Sequence, residues 1–547
     1  MRHLLFVTAL LLLLSSTCSA EHRCIFDQIK RKAGPPMISL VREVPGRGES
    51  AVQALTAAVS GWAPIRFKIF TEDMNIASRY CTAAGKTAPD FAGGRVVCKA
   101  RDVLTADKKS AIVKHVLPAA VNMHVERLRV QPLTGNIIVP NFPGGICAEF
   151  TVPAGHHTAG VSGADMVLYA AAGPTEGSTL AWAVTCVQLR AGRPVVGAMN
   201  FGPQSVSASD YSVRVSTHEI AHALGFNDDM MMDRGMLSSV MNVRGKRGVL
   251  VVSSPTTRAK ARSHYNCPTA PGMELEDEGG EGTARSHWER RNAKDELMAG
   301  IAGAGYYTAL TLAAFADMGF YQVAWDKAEK MSWGYNSGCD LLTKKCLNAG
   351  ITAYPNMFCN DNYKNNAYCT SDRLALGFCL IVSYLQPLPK QYQYFVDSKK
   401  SGHAGALMDR CPYIEPFTDT YCANGKAASM PGSRIGPSSR CLKGDSLHDG
   451  VESIKDVCAE VSCKKGKVSV RYLGDNTWYP CPAGSSITPK KTFVRGRIVC
   501  PTYAEVCNAL VGKGKSDGHS GDRRALTLLS PLLWLWVALL TAFGVAF

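Results

Sequence analysis

The residues closest to chemistry in this chain are His218-Glu219-Ile220-Ala221-His222. On a helix each residue advances about 100°, so side chains four apart lie one turn from each other on one face. His218 and His222 would therefore reach the same ion, with Glu219 beside them. Two neutral imidazoles suit Zn2+ and leave places for a third protein ligand and a water, the arrangement of a catalytic rather than a structural site. Zinc lowers the pKa of a bound water from about 16 to about 7. Glu219 would then act as general base for attack of that water on a scissile peptide carbonyl. The competing reading is a core helix with two satisfied histidines. The neighbours favour the first, since Ile220, Ala221, Leu224 and Phe226 give the helix a buried face and Gly225 would end it through a left-handed cap.

The residues leave two candidates for the third ligand. In the compact metzincin pattern it comes six residues after the second histidine, here Asp228, and an aspartate can coordinate zinc. The other is His287, far downstream in Ser286-His287-Trp288-Glu289-Arg290-Arg291-Asn292-Ala293-Lys294-Asp295-Glu296-Leu297-Met298-Ala299.

Taken together, residues 218–226, the acidic glycine-rich run 272–280, the segment 287–298 and Gly305-Tyr306-Tyr307-Thr308-Ala309-Leu310-Thr311 resemble the leishmanolysin family, surface proteases of kinetoplastids. The resemblance covers most of the chain. It implies an insertion between the glycine turn and the third ligand, which makes that ligand His287, and one zinc per chain held by His218, His222 and His287. It also makes Met298 the Met-turn residue, an apolar floor beneath the metal. The implied substrates are polypeptides, including host surface, matrix or immune proteins. The segment His22-Arg23-Cys24-Ile25-Phe26-Asp27 resembles a propeptide whose Cys24 thiolate would take the fourth zinc position and keep the precursor silent. A rival from another class is a catalytically silent surface adhesin on the same scaffold, because function resides in a site and not in a fold.

The elements that must position these residues can be read more coarsely. Apolar runs 166–172, 180–187 and 194–201 read as strands leading into the His218 helix, and 65–70 as an opening strand. Asp107 would N-cap a long helix bearing Ile112, Val116, Ala120 and Met123, kinked at Pro118. The expected fold is mixed α+β. It comprises a metzincin-type α/β catalytic lobe with an active-site helix (58–226), a second lobe with the third ligand and Met-turn (227–343), and a mostly β, disulfide-rich C-terminal domain (344–516). Residues 274–281 lack the alternating ligands of an EF-hand and read as a solvated turn. His124, His156 and His157 lack a partner at ligand spacing and read as surface residues.

Processing brackets this core. Arg2 and His3, the apolar run from Leu4 to Leu14 and Cys18-Ser19-Ala20 form a signal peptide (1–20), with a propeptide (21–57) after it. An uncharged apolar tail from Leu526 to Phe547 follows a polar spacer with Ser516-Asp517-Gly518. That order signals a glycolipid anchor attached at Ser516, with 517–547 removed, and hence a protein on the outer leaflet of the cell surface or shed from it. The chain has 20 cysteines, an odd number once Cys18 leaves with the signal. Cys24 is the simplest odd one out. Cys81, Cys98, Cys147 and Cys186 would make two staples, Cys267 and Cys339 a third, and the twelve from Cys346 to Cys507 six more. The formal charge of +15 is scattered. A secreted chain has no routine access to nucleic acid, so acidic surfaces or glycans suit it better. No Asn-x-Ser/Thr sequon occurs.

Overall fold

The computed structural model describes residues 22–39, 41–42, 61–361 and 367–507. The signal peptide, the second half of the propeptide, Ser516 and the apolar tail lie outside the described residues. The architecture is mixed α/β, metzincin-type.

Its amino-terminal part is built on a five-stranded sheet of β1 (Met37–Ile38), β2 (Phe67–Phe70), β3 (Met166–Ala171), β4 (Ala181–Gln188) and β5 (Pro194–Phe201), in the order β1-β4-β5-β3-β2. β4 and β5 are antiparallel, with Val184 opposite Ala198, and the other pairs are parallel. The apolar runs of β3 and β5 are buried along their whole length, because both faces of the sheet are covered. One face carries the active-site helix α1 (Asp210–Ala223), which Gly197 admits: a Cβ there would meet Ala223 Cβ at 3.1 Å. Strand residues Val167, Tyr169, Val184 and Ala198 share one buried apolar cluster with Phe91, Ile146 and Phe150 and with Cys24, Phe26 and Ile29 of the amino-terminal segment. Burying a side chain of that size contributes about 2–3 kcal/mol, so this segment is a structural part of the described fold.

The helix expected from an Asp107 cap begins two residues earlier, at Ala106, with Asp107 in its first turn. Thr105 caps it by accepting from Lys108 N at 3.3 Å, and a π-helical turn at Ala111–Val116 precedes Pro118, which then sits in the first turn of Leu117–Val125. The run from Ala106 to Val125 is continuous, and the widened π-turn before Pro118 makes room for a residue that has no N–H to donate back along the helix.

Downstream of α1, a hairpin of Leu237–Val243 and Lys246–Val252 is extended by Met273–Glu274. The helix Ala309–Asp317 closes this region. Two expectations are corrected here. The 274–281 run is a solvated turn only in its second part: Glu274 and Glu276 are buried against the 286–299 segment, while Asp277 and residues 279–281 are exposed. His124 is not a surface residue: it is buried, its Nε2 donates to the Thr217 carbonyl at 2.9 Å, and its Nδ1 accepts from Tyr307 Oη at 3.1 Å. Burial pushes its imidazole down to about 3. His156, half-buried, meets Tyr169 Oη at 2.8 Å.

The carboxy-terminal part is mostly β and centres on a six-stranded sheet, with Ser439–His448 and Ser453–Lys464 as its long central hairpin. Among the described residues nine disulfides form. They include Cys81–Cys98, Cys147–Cys186 and Cys267–Cys339, with six more between Cys346 and Cys507. Cys24 alone of the described cysteines is free, and it is buried. No helix among the described residues is long and apolar enough to cross a membrane.

Candidate metal centre

α1 begins at Ser209, whose side chain accepts from Ser212 N, and Asp210 in the first turn complements the helix dipole. Its buried hydroxyls are satisfied locally, Ser216 donating to Ser212 O at 2.7 Å and Thr217 to Val213 O at 2.8 Å. The helix stops in a Schellman motif, with Phe226 N donating to Ala221 O and Gly225 N to His222 O, both at 3.0 Å. Gly225 has a φ of +102°, and the turn swings the Phe226 carbonyl back to 2.7 Å from His222 Nδ1. A Gly225→Ala change therefore costs stability of about 1–2 kcal/mol from the left-handed backbone alone. Chemical denaturation of the variant would read that loss, and an unchanged midpoint would contradict it.

The other two imidazoles are held in the same way. His218 Nδ1 lies 2.6 Å from Leu297 O, and His287 Nδ1 lies 2.8 Å from Thr283 O. A carbonyl only accepts, so each Nδ1 carries the proton and each Nε2 offers a lone pair. Those Nε2 atoms converge: His222 to His218 at 3.1 Å and His222 to His287 at 3.2 Å, with Cys24 Sγ 3.6 Å from His222 Nε2. All four side chains are buried. Burial first, then the neighbouring imidazoles, drives His222 and His287 well below their ordinary values, and His218 is lowered by burial too. Three neutral imidazoles with lone pairs aimed at one point repel one another unless a cation sits between them.

The spacing fits zinc. With bonds of about 2.05 Å to nitrogen and 2.3 Å to sulfur, a tetrahedral ion separates its ligands by about 3.3 Å (N to N) and about 3.6 Å (N to S). The donor set of three imidazoles and one thiol has the matching softness. Burial, with Glu219 next, raises the Cys24 thiol well above its usual range, so a thiolate at this position needs a cation against it.

Glu219 lies beside this cluster, fully buried, its Oε2 accepting from Ala183 N at 3.3 Å. Its Oε1 meets His22 Nε2 at 3.0 Å. Because His22 Nδ1 accepts from Leu180 N at 2.9 Å, the proton is on Nε2 and His22 donates to the carboxylate. Sequence reasoning missed this contact; the only hint was that His22 stands two residues before Cys24. Asp228 is not among the converging donors. It pairs with Lys30 Nζ and accepts from Ser286 Oγ at 3.2 Å. Met298, fully buried, donates its N–H to Glu296 Oε2 at 2.6 Å, and its carbonyl accepts from Trp288 N at 2.9 Å. Glu296 also accepts from the Thr308 and Thr311 hydroxyls at 2.8 Å, which fixes the turn that presents Leu297 O to His218.

The family model described as leishmanolysin, peptidase family M8, matches residues 22–513. The chain belongs to the leishmanolysin family. It is 40% identical to the leishmanolysin of Leishmania major over 518 residues, covering 90% of this chain and 85% of that one. It is 37% identical to that of Leishmania donovani over 559 residues, covering 95% and 93%. A leishmanolysin homolog of Crithidia fasciculata is 36% identical over 492 residues, covering 86% and 74%. With the family and the metal-ligand cluster together, this leishmanolysin-family chain is a zinc metalloendopeptidase, and its substrates are proteins.

Proposed function

We propose that His218, His222 and His287 hold one zinc per chain and that Glu219 is the general base of peptide hydrolysis. The convergence of three lone pairs, each aimed by an Nδ1–carbonyl hydrogen bond, supports this ligand set. When bound, the metal supplies an acidified water and a positive charge against the scissile carbonyl oxygen. Glu219 takes the proton from the attacking water and hands it to the leaving amine. The Leu297, Phe226 and Thr283 carbonyls hold the rings in the tautomer that leaves Nε2 free. Met298 floors the site.

The described chain carries its amino-terminal segment in this site, and we read that arrangement as the latent precursor, with Cys24 as the blocking ligand. Removal of residues 21–57 would leave a catalytic lobe of 58–226, a second lobe of 227–343 and a C-terminal domain of 344–516. The protein would pass through the secretory pathway to the cell surface, joined by a glycolipid at Ser516, and act on host surface, matrix or immune proteins.

The experiment is zinc stoichiometry with peptide cleavage on the processed ectodomain ending near Ser516, compared with His287→Ala and Asp228→Ala. Wild type should hold one zinc per chain. His287→Ala should weaken zinc binding by at least about 100-fold, and Asp228→Ala should retain the metal. Zinc lost from the Asp228 variant and kept by the His287 variant would overturn the ligand set.

A further inference from the structure

A second cluster of oxygen ligands lies beside the irregular segment that carries His287. Carboxylate oxygens of Glu276, Asp277 and Glu289 come within 4.8 Å of one another, the span that an ion with bonds of about 2.3–2.6 Å permits. Glu276 and Glu289 are buried, while Asp277 stands at the exposed edge. The nearest cations are already engaged: Arg244 pairs with Glu274 and Asp409, and Lys246 with Asp277 and Asp409. Lys246 and Arg244 also attract Glu289 across the cluster, so five carboxylates, with Glu276, share these two cations. Arg291 is turned away, donating to Asn292 Oδ1 and to the carbonyls of Leu341 and Lys344.

An orphan points to what belongs there. Glu289 Oε2 is fully buried and has no hydrogen-bond partner, although Oε1 accepts from Arg291 N at 3.3 Å. A buried carboxylate oxygen without a donor costs several kcal/mol unless something positive reaches it. Glu276 is oriented on both sides, Oε1 accepting from Glu278 N at 2.9 Å and Oε2 from Arg290 N at 3.1 Å.

We propose that Glu276, Asp277 and Glu289 form a calcium site distinct from the zinc centre. The all-oxygen anionic set suits a hard cation, which would share Asp277 with Lys246 Nζ, 2.7 and 2.9 Å from its two oxygens, while waters on the exposed side of Asp277 complete a shell of six to eight. Its place gives it a task. Glu276 N donates to His287 O at 2.9 Å and Glu289 N to Glu274 O at 2.9 Å, so an ion here ties the 274–278 loop to the segment that carries the third histidine. Affinity in the range of extracellular modules, about 0.1–1 mM, is expected.

The test uses the zinc-loaded ectodomain with calcium chloride, and terbium as a luminescent substitute excited through the adjacent buried Trp288. About 10 mM calcium should raise Tm by about 2–4 °C above an ionic-strength-matched sodium control. Terbium emission should saturate and be displaced by calcium, and Glu289→Gln should weaken both responses at least tenfold. Should that variant fail to fold, Asp277→Asn at the exposed edge should show the same loss. A wild-type response no larger than in sodium, an equal response to magnesium, or variants that respond as wild type does would each overturn the site.

Discussion

Glu219→Gln should reduce peptide cleavage by about 10²–10⁴-fold, the contribution of a positioned general base, while zinc content stays at the wild-type level. The substitution keeps the size of the side chain and an amide oxygen that can still accept from Ala183 N, so the surroundings of the helix have little reason to move. It removes the negative charge that takes the proton of the attacking water. None of the three imidazole–carbonyl bonds that aim the zinc ligands involves this residue, which is why metal retention and activity should separate. The check is kcat on a peptide substrate alongside metal analysis and thermal melting of the same sample. Activity within tenfold of wild type, with zinc bound, would remove Glu219 from the role of base. Loss of zinc together with activity would show instead that its charge holds the metal.

That separation is legible in the sequence because His218, Glu219 and His222 share one helix, where spacing alone sets direction. The strands of the amino-terminal sheet were legible for a related reason. Runs such as Met166–Ala171 and Pro194–Phe201 are apolar throughout, and only a strand covered on both faces needs that pattern. The family resemblance, and not spacing, pointed to His287. Nothing local marks it, because its partners at the metal are 65 or more residues away in the chain.

The 286–299 segment shows where the reading had to stop. Glu289, Arg290, Arg291, Lys294, Asp295 and Glu296 make it look like a solvent-facing loop, yet all are buried. Their charges substitute for regular secondary structure. Arg290 donates to Ala406 O at 2.6 Å, Arg291 to Leu341 O at 2.5 Å, and Glu296 gathers the Met298 amide with two threonine hydroxyls. Each bond satisfies a backbone or side-chain group that an irregular buried chain would otherwise leave unpaired. Such long-range pairings have no signature in composition or period. The same holds for His22, whose contact with Glu219 spans 197 residues, and for the sheet edge, where the strand beside β4 comes from the amino-terminal segment.

That segment carries the second large effect. In a precursor that cannot be processed, Cys24→Ala should release cleavage activity by at least about tenfold over the parent, because the thiol, 3.6 Å from His222 Nε2, is the group that would take the fourth position of a metal held by the three imidazoles. The release should be incomplete. His22 still donates to Glu219 at 3.0 Å, and the Phe26 ring still lies 4.0 Å from the His222 ring and parallel to it within 5°. The chain between them is also held, by Cys24 N to Gly300 O at 3.1 Å, Ala302 N to His22 O at 2.9 Å and Asp27 N to Gly282 O at 3.2 Å. These bonds belong to the backbone and survive the substitution. Adding His22→Ala to Cys24→Ala should therefore raise activity further, toward that of the processed enzyme, by freeing the base as well as the metal position. Initial rates of the uncleavable precursor, its two variants and the processed enzyme on one peptide decide the matter. A Cys24→Ala precursor as silent as its parent would mean that occlusion by the segment, and not the thiol, maintains latency.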